Sequence, residues 1–201
     1  MMNTNETTND RIVPVGGDFS NVFDHKDYLA MVNTTDQAAC ILRAHLILEE
    51  ALNLWANKVT NCTDLFGGSF VPFKTKLTIA KNLGFDSDLT KILDRINEIR
   101  NRFSHRRGYE MDTQSIESIK DKVNAITEPK SLLRCEEFSA FISGRDSAGQ
   151  VKEIAYTYKE GDNRVKFLIT FVMLMLKLSW WMQKDFQRRG IRFIIISGID
   201  S

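Results

Sequence analysis

Arg100, Asn101, Arg102, Phe103, Ser104 and His105, followed at once by Arg106 and Arg107, are the densest concentration of chemistry in this 201-residue chain. Histidine titrates near neutrality, so His105 can take up and return a proton under ordinary conditions. Arginine offers a planar fork to a phosphate that gains charge in a transition state. Together, Arg100 and His105 could cleave RNA without a metal, the 2′-oxygen attacking its own phosphorus. Asn101 stands four residues before His105, close enough on a helix to hydrogen-bond the imidazole and orient it. Arg102, Arg106 and Arg107 would supply a cationic rim for the RNA backbone. Cations late in a helix also answer its exposed carbonyls. That explains Arg106 and Arg107 but leaves Arg100 without a reason.

The element that must position this set begins at the cap cluster Asp86, Ser87 and Asp88. Apolar residues recur at Leu89, Ile92, Leu93, Ile96, Ile99 and Phe103, which predicts a helix with one buried face, stopped by Gly108. At about 100° per residue Arg100 falls on the core side of that helix, where a charge needs a partner or a purpose. Glu49 is the expected partner, reaching across from the neighbouring long helix. Arg100 and His105 point about 140° apart on a straight helix. They share one site only if Arg100 reaches round, if the helix unwinds after Phe103, or if a second copy completes the site.

The rest of the chain reads as mostly helical. Residues 1–19 lack an apolar pattern and are expected to be a loose arm, and residues 20–201 a single domain. A short helix is predicted over Asn21–Val32. A capping box at Thr34 and Gln37 opens a long helix to about Val59, apolar over much of its circumference and therefore central. Its His45 reads as a hydrogen-bonded core histidine. LFGGSFVPF is a connection, not a phosphate loop, because no lysine follows at the required spacing. Further helices are expected from Pro72 to Leu83, from Asp112 or Thr113 to about Thr127, and from Asn163 to Phe186. Residues 131–161 form an irregular insertion in which Phe138–Ile142 and the alternating Ile154, Tyr156 and Tyr158 predict a small β-hairpin. RFIIISG at the end is a short strand or a packed tail. The fold class is therefore all-α, with long up-and-down helices and a small hairpin insertion.

Composition narrows the partners. With 27 basic and 26 acidic side chains the net charge is +1, so any nucleic acid must be met by a local patch rather than by bulk charge. Three scattered cysteines and a polar N-terminus predict reduced thiols and a cytoplasmic protein. No zinc or nucleotide-binding signature appears, so neither metal nor cofactor is expected. The apolar run Phe167–Met182 is shorter than the roughly 20 residues needed to cross a bilayer and is interrupted by Lys177. It predicts a buried helix, not a membrane span, and one of the adjacent Trp180 and Trp181 must look outward.

The hexapeptide Arg100–His105 resembles the Arg-(polar)-x-x-x-His motif of the HEPN superfamily, small helical bundles that commonly pair around it. The order of helices is similar to the mannitol operon repressor branch, from about Gln37 to His105 and more loosely over Asn163–Phe186. The resemblance implies that Arg100 and His105 are a catalytic pair with Asn101 beside the arginine. It implies a homodimer and a metal-independent endoribonuclease leaving a 2′,3′-cyclic phosphate, of the kind found in toxin and defence systems. The superfamily also contains inactive modules, so a non-catalytic regulator acting through protein contacts is the alternative. An antitoxin or regulatory protein is a further expected partner.

Overall fold

A computed structural model describes residues 16–145 and 149–195. Six α-helices and one β-hairpin follow a short 3-10 turn at Gly17–Phe19. The helices are α1 (His25–Asn33), α2 (Gln37–Thr60), α3 (Phe73–Asn82), α4 (Ser87–His105), α5 (Thr113–Ala125) and α6 (Asn163–Arg188). Strands β1 (Ser139–Arg145) and β2 (Val151–Thr157) lie between α5 and α6 and pair antiparallel, with Ile142 opposite Ile154. The fold is all-α with a small hairpin insertion.

Helix α2 is the central element and touches α1, α3, α4 and α6. Its apolar stripe, Ile41, Ala44, Leu48, Leu52 and Trp55, is fully buried. Aspartates begin most of the helices, because a carboxylate can accept from the free N–H groups of the first turn. Asp86 takes two of them in α4, from Asp88 (2.8 Å) and Leu89 (2.9 Å). In α2 the cap is Asp36, which accepts from Ala38 (2.8 Å), and not the expected Thr34. Gln37 does not close a capping box either. Its Oε1 accepts from the Met111 backbone N–H (2.8 Å), tying the turn after α4 to the start of α2. Helix α2 therefore runs antiparallel to α4, with His45 beside Asn97.

Helix α6 is long and apolar, and 72% of its most apolar window is buried. Trp181 packs on Phe85 (4.8 Å) and Trp55 (6.0 Å), whereas Trp180 is half-exposed beside Lys184 (5.6 Å). Lys177 is buried and donates to the carbonyls of Val123 (2.7 Å) and Ile126 (2.6 Å), closing the C-terminal end of α5. Its desolvation lowers its pKa. The hairpin alternation also has a cause. Along β2 the stripe runs from exposed Ile154 through half-buried Tyr156 to buried Tyr158, which lies just beyond the strand and donates to Glu117 (2.9 Å).

The expected loose arm needs one correction. Phe19 is fully buried, and the Gly16 and Asp18 N–H groups donate to Ile195 (3.0 Å) and Ile194 (2.8 Å). A short polar stretch carries too little periodicity to reveal such a tie. Residues 1–15 of the expected arm and 196–198 of the RFIIISG tail lie outside the described residues; residues 191–195 pack without forming a strand.

Candidate functional site

Helix α4 brings the site residues to one end of the bundle. It remains helical through His105 and ends at Arg106, which takes an extended backbone conformation while its N–H still donates to Arg102 (2.9 Å). The helix does not unwind after Phe103, so Arg100 and His105 leave it in divergent directions. The Arg100 side chain bends to its neighbour. Its Nη1 donates to Asn101 Oδ1 at 3.0 Å, and Asn101 stands one turn before His105 on the same face. The guanidinium is thus tied to a neighbour on the face that bears His105, and no contact between Arg100 and His105 forms among the described residues. Asn101 orients the arginine; its Oδ1 is not on the imidazole, where it was expected. His105 is exposed and makes no side-chain hydrogen bond among the described residues.

Arg100 is half-buried and its Nε is buried without a hydrogen-bond partner. Arg100, Arg106 and Arg107 form no ion pair among the described residues, and Arg106 and Arg107 are exposed. Arg102 differs from the other rim residues, because it lies 4.0 Å from Asp112. Glu49 does not meet Arg100 as expected. It holds Lys76 of α3 at 2.7 Å. Lys76 was missed in the sequence, although a lysine between Phe73, Leu77 and Ala80 stands on the buried face of its helix and required a carboxylate.

Beneath this end lies the expected core histidine, with a partner the sequence did not name. His45 Nε2 sits 3.2 Å from Asn97 Oδ1, and its ring packs on Phe73 at 4.5 Å between centroids. Burial pushes the His45 pKa below its ordinary value. The Asn97 bond opposes that shift, the Arg100 cation adds to it, and Glu49 opposes it. His45 is therefore a neutral core histidine. Asn97 could have been found as a polar residue at the a/d-like spacing of an apolar face, three residues before Arg100.

Three contacts locate the open face. Phe73 touches His45, Lys76 meets Glu49, and Lys74 meets Asp94. Helix α3 thus covers the groove between α2 and α4 at that level. Asn101 lies seven residues beyond Asp94, and Leu42 seven before Glu49, so both continue the same faces past the first turn of α3. His105 and Leu46 follow on those faces. The motif therefore opens onto a surface that also carries Leu42 and Leu46, 46% and 54% exposed. Phe70, three residues before α3 begins, is 92% exposed. At the end of α4, a cleft of about 430 Å³ separates Thr35–Ala38 from Arg106–Glu110.

Protein families, characterised proteins and solved structures all give no match to this chain. Function must be read from the site.

Proposed function

We propose that this protein is a metal-independent endoribonuclease of the HEPN type, acting as a homodimer. The observation that carries this reading is the Arg100–Asn101 bond, which ties an arginine without a carboxylate partner among the described residues to a side chain on the face that bears His105. An arginine left unpaired at a bundle surface fits a phosphate better than a structural role.

In the reaction the RNA 2′-oxygen attacks the adjacent phosphorus, forming a P–O2′ bond and breaking the P–O5′ bond. A neutral His105 takes the 2′-hydroxyl proton. A protonated His105 of the partner subunit gives a proton to the departing 5′-oxygen. The products are a 2′,3′-cyclic phosphate and a 5′-hydroxyl. Arg100 pairs with the non-bridging oxygens as they gain charge. Arg106 and Arg107 bind the flanking backbone, and Arg102, shared with Asp112, adds to the field. The open face around Leu42 and Leu46 is the surface on which the two copies pair, since exposed apolar groups in one patch mark interfaces.

The same patch favours a second reading, a non-catalytic regulator resembling the mannitol repressor branch, with a protein covering the motif. A growth assay separates the two. A free nuclease slows growth when expressed alone, and His105→Ala abolishes that effect. A regulator tolerates His105→Ala but fails when Leu46 becomes Glu.

A further inference from the structure

Arg100 pairs with no carboxylate among the described residues. On its own helix Asp94 is taken by Lys74, and Glu98 by Arg95 at 2.7 Å. Across on α2, Glu49 is taken by Lys76, whose ammonium is also 3.3 Å from Asn53 Oδ1 and 5.2 Å from the centre of the Phe66 ring. Lys76 is only 8% exposed. Burying an ammonium is costly, so a fold that needed only a packed α3 would place an apolar residue there.

His45 on α2 and Asn97 on α4 meet at 3.2 Å. Glu49 stands one turn after His45 on α2, and Arg100 one turn after Asn97 on the antiparallel α4. The neutral His45–Asn97 pair therefore separates carboxylate from guanidinium. Two long flexible side chains could still close that gap if nothing held the carboxylate.

Resting on the ribonuclease reading, we propose that Lys76 is a positioning residue: it sequesters Glu49 so that the Arg100 guanidinium stays free for the RNA phosphate. Without Lys76, Glu49 becomes a carboxylate in low-dielectric surroundings with one unpaired cation nearby. It pairs with Arg100 and occupies the fork that the phosphate needs.

The test compares wild type, Lys76→Met, Glu49→Gln and the double variant. The first readout is the 15N-edited NMR signal of the Arg100 Nε–H, identified by its loss in Arg100→Lys, which requires neither RNA nor activity. Lys76→Met should shift that signal, and the double variant should return it to the wild-type position. Glu49→Gln alone should leave it in place. The second readout is anisotropy with a 2′-O-methyl RNA, which cannot be cleaved. Lys76→Met should weaken binding about tenfold and the double variant should recover it, the behaviour of coupled residues in a cycle. A purely structural role for Lys76 predicts that the double variant is no better than Lys76→Met in either readout, which overturns the proposal. So does an unmoved Nε–H signal in Lys76→Met. If Lys76→Met does not fold, Lys76→Gln replaces it with the same expectations. Failure of the nuclease reading would appear separately, as intact RNA with wild type, while the NMR comparison still decides the role of Lys76.

Discussion

At the scale of single residues, the site depends on which groups are left without partners. Arg100 has its Nη1 on Asn101, and the proposed reaction asks the rest of its guanidinium to act on the phosphate as a fork and not merely as a charge. Arg100→Lys keeps the charge and loses the fork. Cleavage should fall on the order of 10²-fold, measured as initial rates on a labelled RNA, with the melting temperature little changed. An unchanged rate would remove Arg100 from the transition state. His45 makes a separate prediction. Its folded pKa lies below the ordinary 6.5 because it is buried beside a cation. Between those two values the unfolded chain binds the extra proton, so stability falls as pH drops from neutrality. Denaturant midpoints between pH 7 and 5 should show this slope, and His45→Gln should flatten it.

At the scale of elements, partners on adjacent helices decide what each helix can do. Lys177 satisfies two carbonyls at the end of α5 from within the apolar α6. Lys177→Met leaves both without their donor, and urea unfolding should report a loss of about 2–3 kcal/mol. A loss near zero would mean that water replaces the ammonium. The same logic separates what could be read in the sequence from what could not. Helices α2, α4 and α6 were legible because apolar residues recur with the helical period over several turns. The hairpin was legible from three alternating residues. The Arg100–Asn101 bond, the Lys76–Glu49 pair and the Gln37 tie to Met111 were not, because each depends on side-chain direction or on contacts across elements, which spacing along one helix does not carry. The choice of Lys76 over Arg100 as the partner of Glu49 was settled by where α3 packs. Phe19 was missed because a single buried residue in a short turn has no period.

At the scale of the whole molecule, the open groove beyond α3 places apolar surface around the motif. Leu42→Glu with Leu46→Glu should put like charges across the pairing surface and leave a folded monomer, seen by light scattering. Under the proposed mechanism, with acid and base from different copies, cleavage should be lost with the dimer. A monomer that still cleaves would mean that one copy carries the whole site.

The most direct measurement is cleavage of mixed RNA in EDTA by wild type and by His105→Ala, with light scattering on both. His105 is exposed and makes no side-chain hydrogen bond among the described residues, so its removal should not disturb fold or pairing. The proposed nuclease predicts cleavage by wild type, cyclic-phosphate ends on the products, and intact RNA with an equally dimeric His105→Ala. Equal cleavage by both proteins, or intact RNA with both, would contradict it.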